Sequence, residues 1–137
     1  MMRTRRYFLA AMLASSLGLA AGAVLAAPPT VEIIAMPHPP VKMALQPLRE
    51  WLAARGGKLK VSEVDSESPQ GEKRLATAGL SGHIPIVILI DGQFRHKRKD
   101  GVALEFVNFP AIEGAPPGVR GKWTTADVQA VLIERIK

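Results

Sequence analysis

Gly82-His83-Ile84-Pro85-Ile86-Val87-Ile88-Leu89-Ile90 ends in the most apolar run of the chain beyond its N-terminal segment. Ile86 to Ile90 is wholly aliphatic and offers no polar face to water, so it predicts a central strand buried on both sides of a sheet. Pro85 stands directly before that strand, where a residue with fixed φ and no N–H is tolerated as a first position or as part of a turn. Asp91-Gly92 follows at once and Asp100-Gly101 nine residues later, both hairpin dipeptides. They flank Gln93 to Lys99 and Val102 to Phe109, so the chain is expected to double back twice.

Upstream, Val31 to Met36 is an apolar, β-branched run suited to a buried strand, halted by Pro37-His38-Pro39-Pro40. Pro40 fits the first turn of a helix, where a missing N–H is harmless. From Val41 to Arg55, Met43, Ala44, Leu48, Leu52 and Ala53 recur at helical spacing, with Gly56-Gly57 as the stop and Pro47 expected to kink the helix. Leu59 to Val64 alternates as a strand, Asp65 to Pro69 is a polar turn, and Gln70 to Gly79 predicts a second helix. Beyond the hairpins, residues 110–122 form a Gly/Pro-rich loop. Thr124 then caps a last helix with Val128, Val131, Leu132 and Ile136 on one face and Asp127 placed for a capping box. Strand, helix, strand, helix, antiparallel strands and helix together predict an α/β fold, a mixed sheet with helices on both faces.

The first 26 residues carry a basic start (Arg3, Arg5, Arg6), an apolar stretch from Phe8 to Leu25 and small residues before Ala27. That is the pattern of a cleavable export signal, with cleavage expected after Ala26 and residues 27–137 left as one domain. Thr4-Arg5-Arg6-Tyr7-Phe8-Leu9-Ala10 resembles the twin-arginine export pattern, which a receptor reads and which implies export of a folded chain to a periplasmic or similar exported compartment. No membrane attachment is expected once the signal is removed.

The whole chain has 18 Lys and Arg against 12 Asp and Glu. Removing Arg3, Arg5 and Arg6 with the signal leaves fifteen against twelve, a net charge of +3, too small to support nucleic-acid binding through phosphate contacts. The one dense basic stretch, Arg95-His96-Lys97-Arg98-Lys99, adjoins a turn dipeptide and reads as a solvated hairpin. There is no cysteine, which excludes disulfides, a thiol nucleophile and thiolate metal sites.

Two motifs in this order resemble the thioredoxin family. Pro37-His38-Pro39-Pro40-Val41-Lys42-Met43 lies where the family has Trp-Cys-Gly-Pro-Cys-Lys-Met, between a strand and a long helix with an internal proline. Gly82-His83-Ile84-Pro85 resembles the family's Gly-Ile-Pro, whose proline is cis and faces the redox pair. The resemblance covers about Val31 to Phe94 and implies a thioredoxin-like three-layer sandwich with a cis Ile84–Pro85 bond. One alignment sets His38 and Val41 at the two thiol positions; shifted by one residue, it sets Pro39 and Lys42 there. Either way the family's thiol/disulfide reaction is lost, and no catalytic residue carries over.

What the resemblance leaves is a peptide-holding groove beside the proline, lined here by His38, Pro39, Pro40, Val41, His83, Ile84 and Pro85, for a protein or peptide partner. Trp123 with Phe106, Phe109 and Pro116-Pro117 is a candidate apolar patch beside it, or a packing staple. The alternative is a copper or zinc site using His38 and His83, with Met36 and Met43 as thioether neighbours; both methionines also fit the core. Ser81, His83 and Asp91 hold the residue types of a catalytic triad without a nucleophile signature.

Overall fold

The computed structural model describes residues 27–112 and 116–136; the export signal read over residues 1–26 lies outside them. Its elements are β1 (Thr30–Ala35), α1 (Pro39–Ala53), β2 (Lys60–Asp65), α2 (Pro69–Thr77), β3 (Ile86–Ile90), β4 (Arg95–Lys97), β5 (Ala103–Glu105) and α3 (Thr125–Arg135). Every predicted strand and helix has its counterpart, with boundaries displaced by no more than two residues, as is usual where ends fray, except that the last strand ends at Glu105 and not at Phe109.

β1 is the middle of a three-stranded mixed sheet of order β2-β1-β3. It runs parallel to β2, Ile33 opposite Glu63, and antiparallel to β3, Ile33 opposite Ile88. β3 gains a second neighbour on its far side, where Ile88 N–H donates to Phe106 O at 3.0 Å and Asn108 N–H to Ile86 O at 2.8 Å. It is therefore flanked on both edges, and all five of its residues are buried.

The two-residue period of a strand divides those side chains between two cores. Ile86, Ile88 and Ile90 join Val31, Ile33 and Ala35 beneath Leu45 and Leu48 of α1 and Val128 and Leu132 of α3. Val87 and Leu89 join Ile34 and Phe94 beneath Leu75 of α2. Helices thus cover both faces, α1 and α3 on one and α2 on the other. The Arg74 guanidinium grips Glu32 with two nitrogens, at 2.8 and 3.1 Å, and ties α2 to β1.

α1 begins at Pro39 rather than Val41, because two prolines at the first two helical positions lose no hydrogen bond there. The buried stripe is Val41, Ala44, Leu45, Leu48 and Leu52. Met43 and Ala53, expected on that stripe, are exposed; at about 100° per residue Met43 lies about 200° round from Val41, on the outer side. The helix assignment continues through Pro47. Gly71 in α2 lies so close to the end of β2 that an added β-carbon would stand 2.0 Å from Asp65 O.

Asp91-Gly92 forms the two-residue hairpin, with φ of 49° and 79° and Ile90 and Gln93 exchanging backbone hydrogen bonds. Thr124 caps α3 in a complete capping box: its hydroxyl accepts from Asp127 N–H, and the Asp127 carboxylate accepts from Thr124 N–H. Trp123, Phe106 and Phe109 are buried, so they form part of the main core and not an exposed patch. Trp123 donates its indole N–H to Val107 O and Asn108 O, which settles the buried polar end of the ring.

Candidate functional site

The loop after β1 and the loop before β3 meet at one backbone hydrogen bond, Met36 N–H to Pro85 O at 2.9 Å. This brings the two sequence motifs to one end of the sheet, outside the carboxyl end of β1, the position where open α/β sheets gather binding residues. His38, Pro39, Pro40 and His83 are exposed there, Ile84 is half-buried and packs into the α2-side core, and Pro85 is buried. Val41 does not line this surface; it is 2% exposed and belongs to the core beneath α1.

No peptide bond among the described residues is cis, so Ile84–Pro85 is trans, against the expectation carried by the resemblance. Gly82 makes the turn instead: it adopts φ 94°, and its carbonyl accepts Ile84 N–H at 3.1 Å. With the chain already reversed by a glycine in the left-handed region, the trans form, favoured by about 0.5–1 kcal/mol before proline, is kept.

His38 is the N-cap residue of α1 but makes no side-chain cap. Its Nε2 lies 2.7 Å from Glu67 Oε1, on the loop between β2 and α2. Glu67 belongs to neither sequence motif. Parallel pairing of β1 and β2 is the signal that finds it, because the loops leaving the ends of two adjacent parallel strands emerge side by side.

The helix start is also unlike an anion site. Pro39 and Pro40 have no N–H to offer, and the first two available donors, Val41 and Lys42, both bond His38 O at 3.0 Å. A negative group placed here meets few of the backbone donors that a helix N-terminus normally presents.

A cleft leads away from this loop along the edge strand β2. A part of about 180 Å³ is lined by Met36, Pro37, Lys42, Glu63 and Asp65. A larger part of about 520 Å³, sharing Ile33, Arg49 and Glu63 with it, is lined by Leu52, Leu59 and Val61. Arg49 Nε bonds Glu63 Oε1 at 2.6 Å across it.

Met36 is buried whereas Met43 is 76% exposed on the outer side of α1, so the thioether pair is not assembled beside His38 and His83. Among the described residues no group of three or more His, Cys, Asp or Glu side chains could hold a metal ion. His83 precedes and Asp91 follows β3, a five-residue strand about 17 Å long that separates them. Asp91 is committed to Thr30 N–H at 2.9 Å and to the Arg135 guanidinium at 2.7 Å, so no triad forms.

The basic hairpin is largely neutralised as well: Arg95 pairs with Glu105, Arg98 with Asp100 and Asp127, and Lys99 with Glu134. Set against models of protein families, against curated proteins and against solved structures, the chain finds no match, and its site is defined by this geometry alone.

Proposed function

We propose that this chain is a thioredoxin-like protein without redox chemistry that is exported and holds an extended segment of a protein partner at the surface made by His38, Pro39, Pro40, His83 and Ile84. The observation that supports the reading is the Met36–Pro85 hydrogen bond, which holds the two loops, neither of which bears a thiol, next to one another. The β2-β1-β3 order, with a parallel and an antiparallel neighbour of β1, supports the thioredoxin-like reading of the fold. Prolines suit such a surface because Pro39 and Pro40 lose little conformational freedom on binding. Peptide holding here does without a cis-proline and rests on the exposed side chains and on the cleft beside β2.

Site-specific photo-crosslinking in the exported compartment tests this. A photoreactive residue at 39 or at 83 should give the same discrete adduct, and one at Glu72 on α2 should not. Equal labelling at all three positions, or none at 39 and 83, defeats the reading. Export itself is tested by N-terminal sequencing, which should begin at Ala27, and by changing Arg5 and Arg6 to Lys, which should retain the uncleaved chain in the cytoplasm.

A further inference from the structure

His96, in the short strand β4, sits at a junction that the proposed binding surface does not use. Its ring stacks on buried Phe106, with centroids 5.3 Å apart and planes inclined by 25°. Nε2 lies 2.7 Å from Gln93 O and therefore carries the proton and donates it. Nδ1 is left as an acceptor, and Arg135 Nη2 at the end of α3 approaches it at 3.5 Å. The same guanidinium bonds Asp91 at 2.7 Å, and Asp91 accepts Thr30 N–H. Asp91 and Arg135 thereby join the start of β1, the β3–β4 turn and the end of α3, and the imidazole adds the β4–β5 hairpin to them.

We infer that His96 is an acid-sensitive latch: its neutral ring holds the β4–β5 hairpin against the end of α3, and its protonation releases that contact. A second ring proton converts Nδ1 from an acceptor to a donor, aimed at a guanidinium that has only donors to offer. It also places a positive charge on a ring that is partly withdrawn from water. The charged groups around the ring divide unequally. Arg135 from α3 opposes the added charge. Asp91 from the turn favours it but is already engaged by Arg135 and Thr30. Glu105 of β5 is held by Arg95, and the β4 neighbours Arg95 and Lys97 are themselves positive.

The ordinary imidazole value of 6.5 is accordingly lowered, first by burial and then by Arg135, with the Gln93 carbonyl and Asp91 acting in the other direction. A folded value below the unfolded one means that stability is fully present above about pH 6.5 and is lost as pH falls through the lower folded value. Each unit of lowering makes the released form about tenfold more populated once the ring is charged.

A groove of about 310 Å³ lies between the hairpin, at Lys97 and Lys99, and α3, at Val131 and Ile133. The Arg98–Asp127, Lys99–Glu134 and Arg135–His96 pairs across this seam are all 3.5 Å long, and His96 is the member whose charge changes between about pH 5 and 8.

Nuclear magnetic resonance titration of the purified protein from about pH 8 to about pH 4, with amide exchange followed in parallel, tests the latch. The His96 ring should titrate below 6.5, and protection of the amides of residues 95–105 and 131–135 should fall as that proton binds. His96→Phe keeps the ring stack without a titrating nitrogen and should abolish the acid-dependent loss of protection. Arg135→Gln keeps donors toward Asp91 and Nδ1 without the charge and should raise the His96 titration point. The inference is overturned by a His96 titration at or above 6.5, by protection in these segments that does not follow it, or by an unchanged acid response in His96→Phe.

Discussion

His38 Nε2 stands 2.7 Å from Glu67 Oε1, which links the cap position of α1 to the loop leaving β2. The two side chains are 51% and 43% exposed, so the pair orients an imidazole more than it stabilises the fold. Glu67→Gln should change unfolding free energy by no more than about 0.5 kcal/mol. It should nevertheless lower the crosslinking yield from position 39 by freeing the His38 ring. A chemical denaturation curve measures the first effect. A loss well above 1 kcal/mol would show that the pair is structural and not part of a binding surface.

Gly71 is the residue for which we expect the largest single-methyl penalty. An alanine β-carbon there meets Asp65 O at 2.0 Å and Asp65 C at 2.8 Å, both backbone atoms that cannot swing aside. Gly71→Ala should therefore cost about 3 kcal/mol or more, where alanine in an open helix interior normally gains up to about 1 kcal/mol over glycine. Thermal unfolding of the variant, with Gly57→Ala as an unhindered control, checks it; equal midpoints would mean that α2 shifts freely away from β2.

The Asp91 carboxyl is held below its ordinary 3.8, chiefly by the Thr30 N–H, against the opposing effect of burial and with further help from Arg135. A lowered carboxyl value in the folded state contributes stability above about pH 4 that disappears as pH falls through the lower folded value. Asp91→Asn retains a residue tolerant of φ 49° and should cost about 1 kcal/mol at neutral pH. The difference between the two proteins in denaturant midpoint should shrink as pH falls below the ordinary 3.8. A difference independent of pH would assign the effect to the turn and not to the charge.

Thr124 and Asp127 cap α3 reciprocally, and α3 contributes Val128, Val131 and Leu132 to the main core. Thr124→Ala should destabilise the protein by about 1 kcal/mol, and Asp127→Ala by a similar amount, with the double variant costing less than their sum. Strict additivity in a double-mutant cycle would contradict the reciprocal geometry.

The order of strands and helices, and with it the α/β class, is legible in the sequence, and the structure has the elements in that order. The cis bond expected at Ile84–Pro85 is absent because Gly82 turns the chain first, a role that depends on its φ of 94° and is not written in the identity of the residue. Val41 and Met43 illustrate the same limit. Each is apolar and each lies in the first turns of α1, but at about 100° per residue the two lie about 200° apart, and the packing of α1 on the sheet turns Val41 into the core and Met43 to water.

What the sequence by itself determined is local. Ile86 to Ile90 has no polar face and must be buried on both sides, Asp91-Gly92 can take two left-handed conformations in succession, Thr124 and Asp127 are spaced to cap one another, and a chain without cysteine has no thiol chemistry. Only the tertiary structure decided which residues meet across long separations. His38 faces Glu67 because parallel pairing of β1 and β2 sets their two exit loops side by side, and His96 faces Arg135 because α3 packs back across the sheet. Such contacts depend on strand register and helix phase, which are fixed by burial of both cores at once and not by the residues within any one segment.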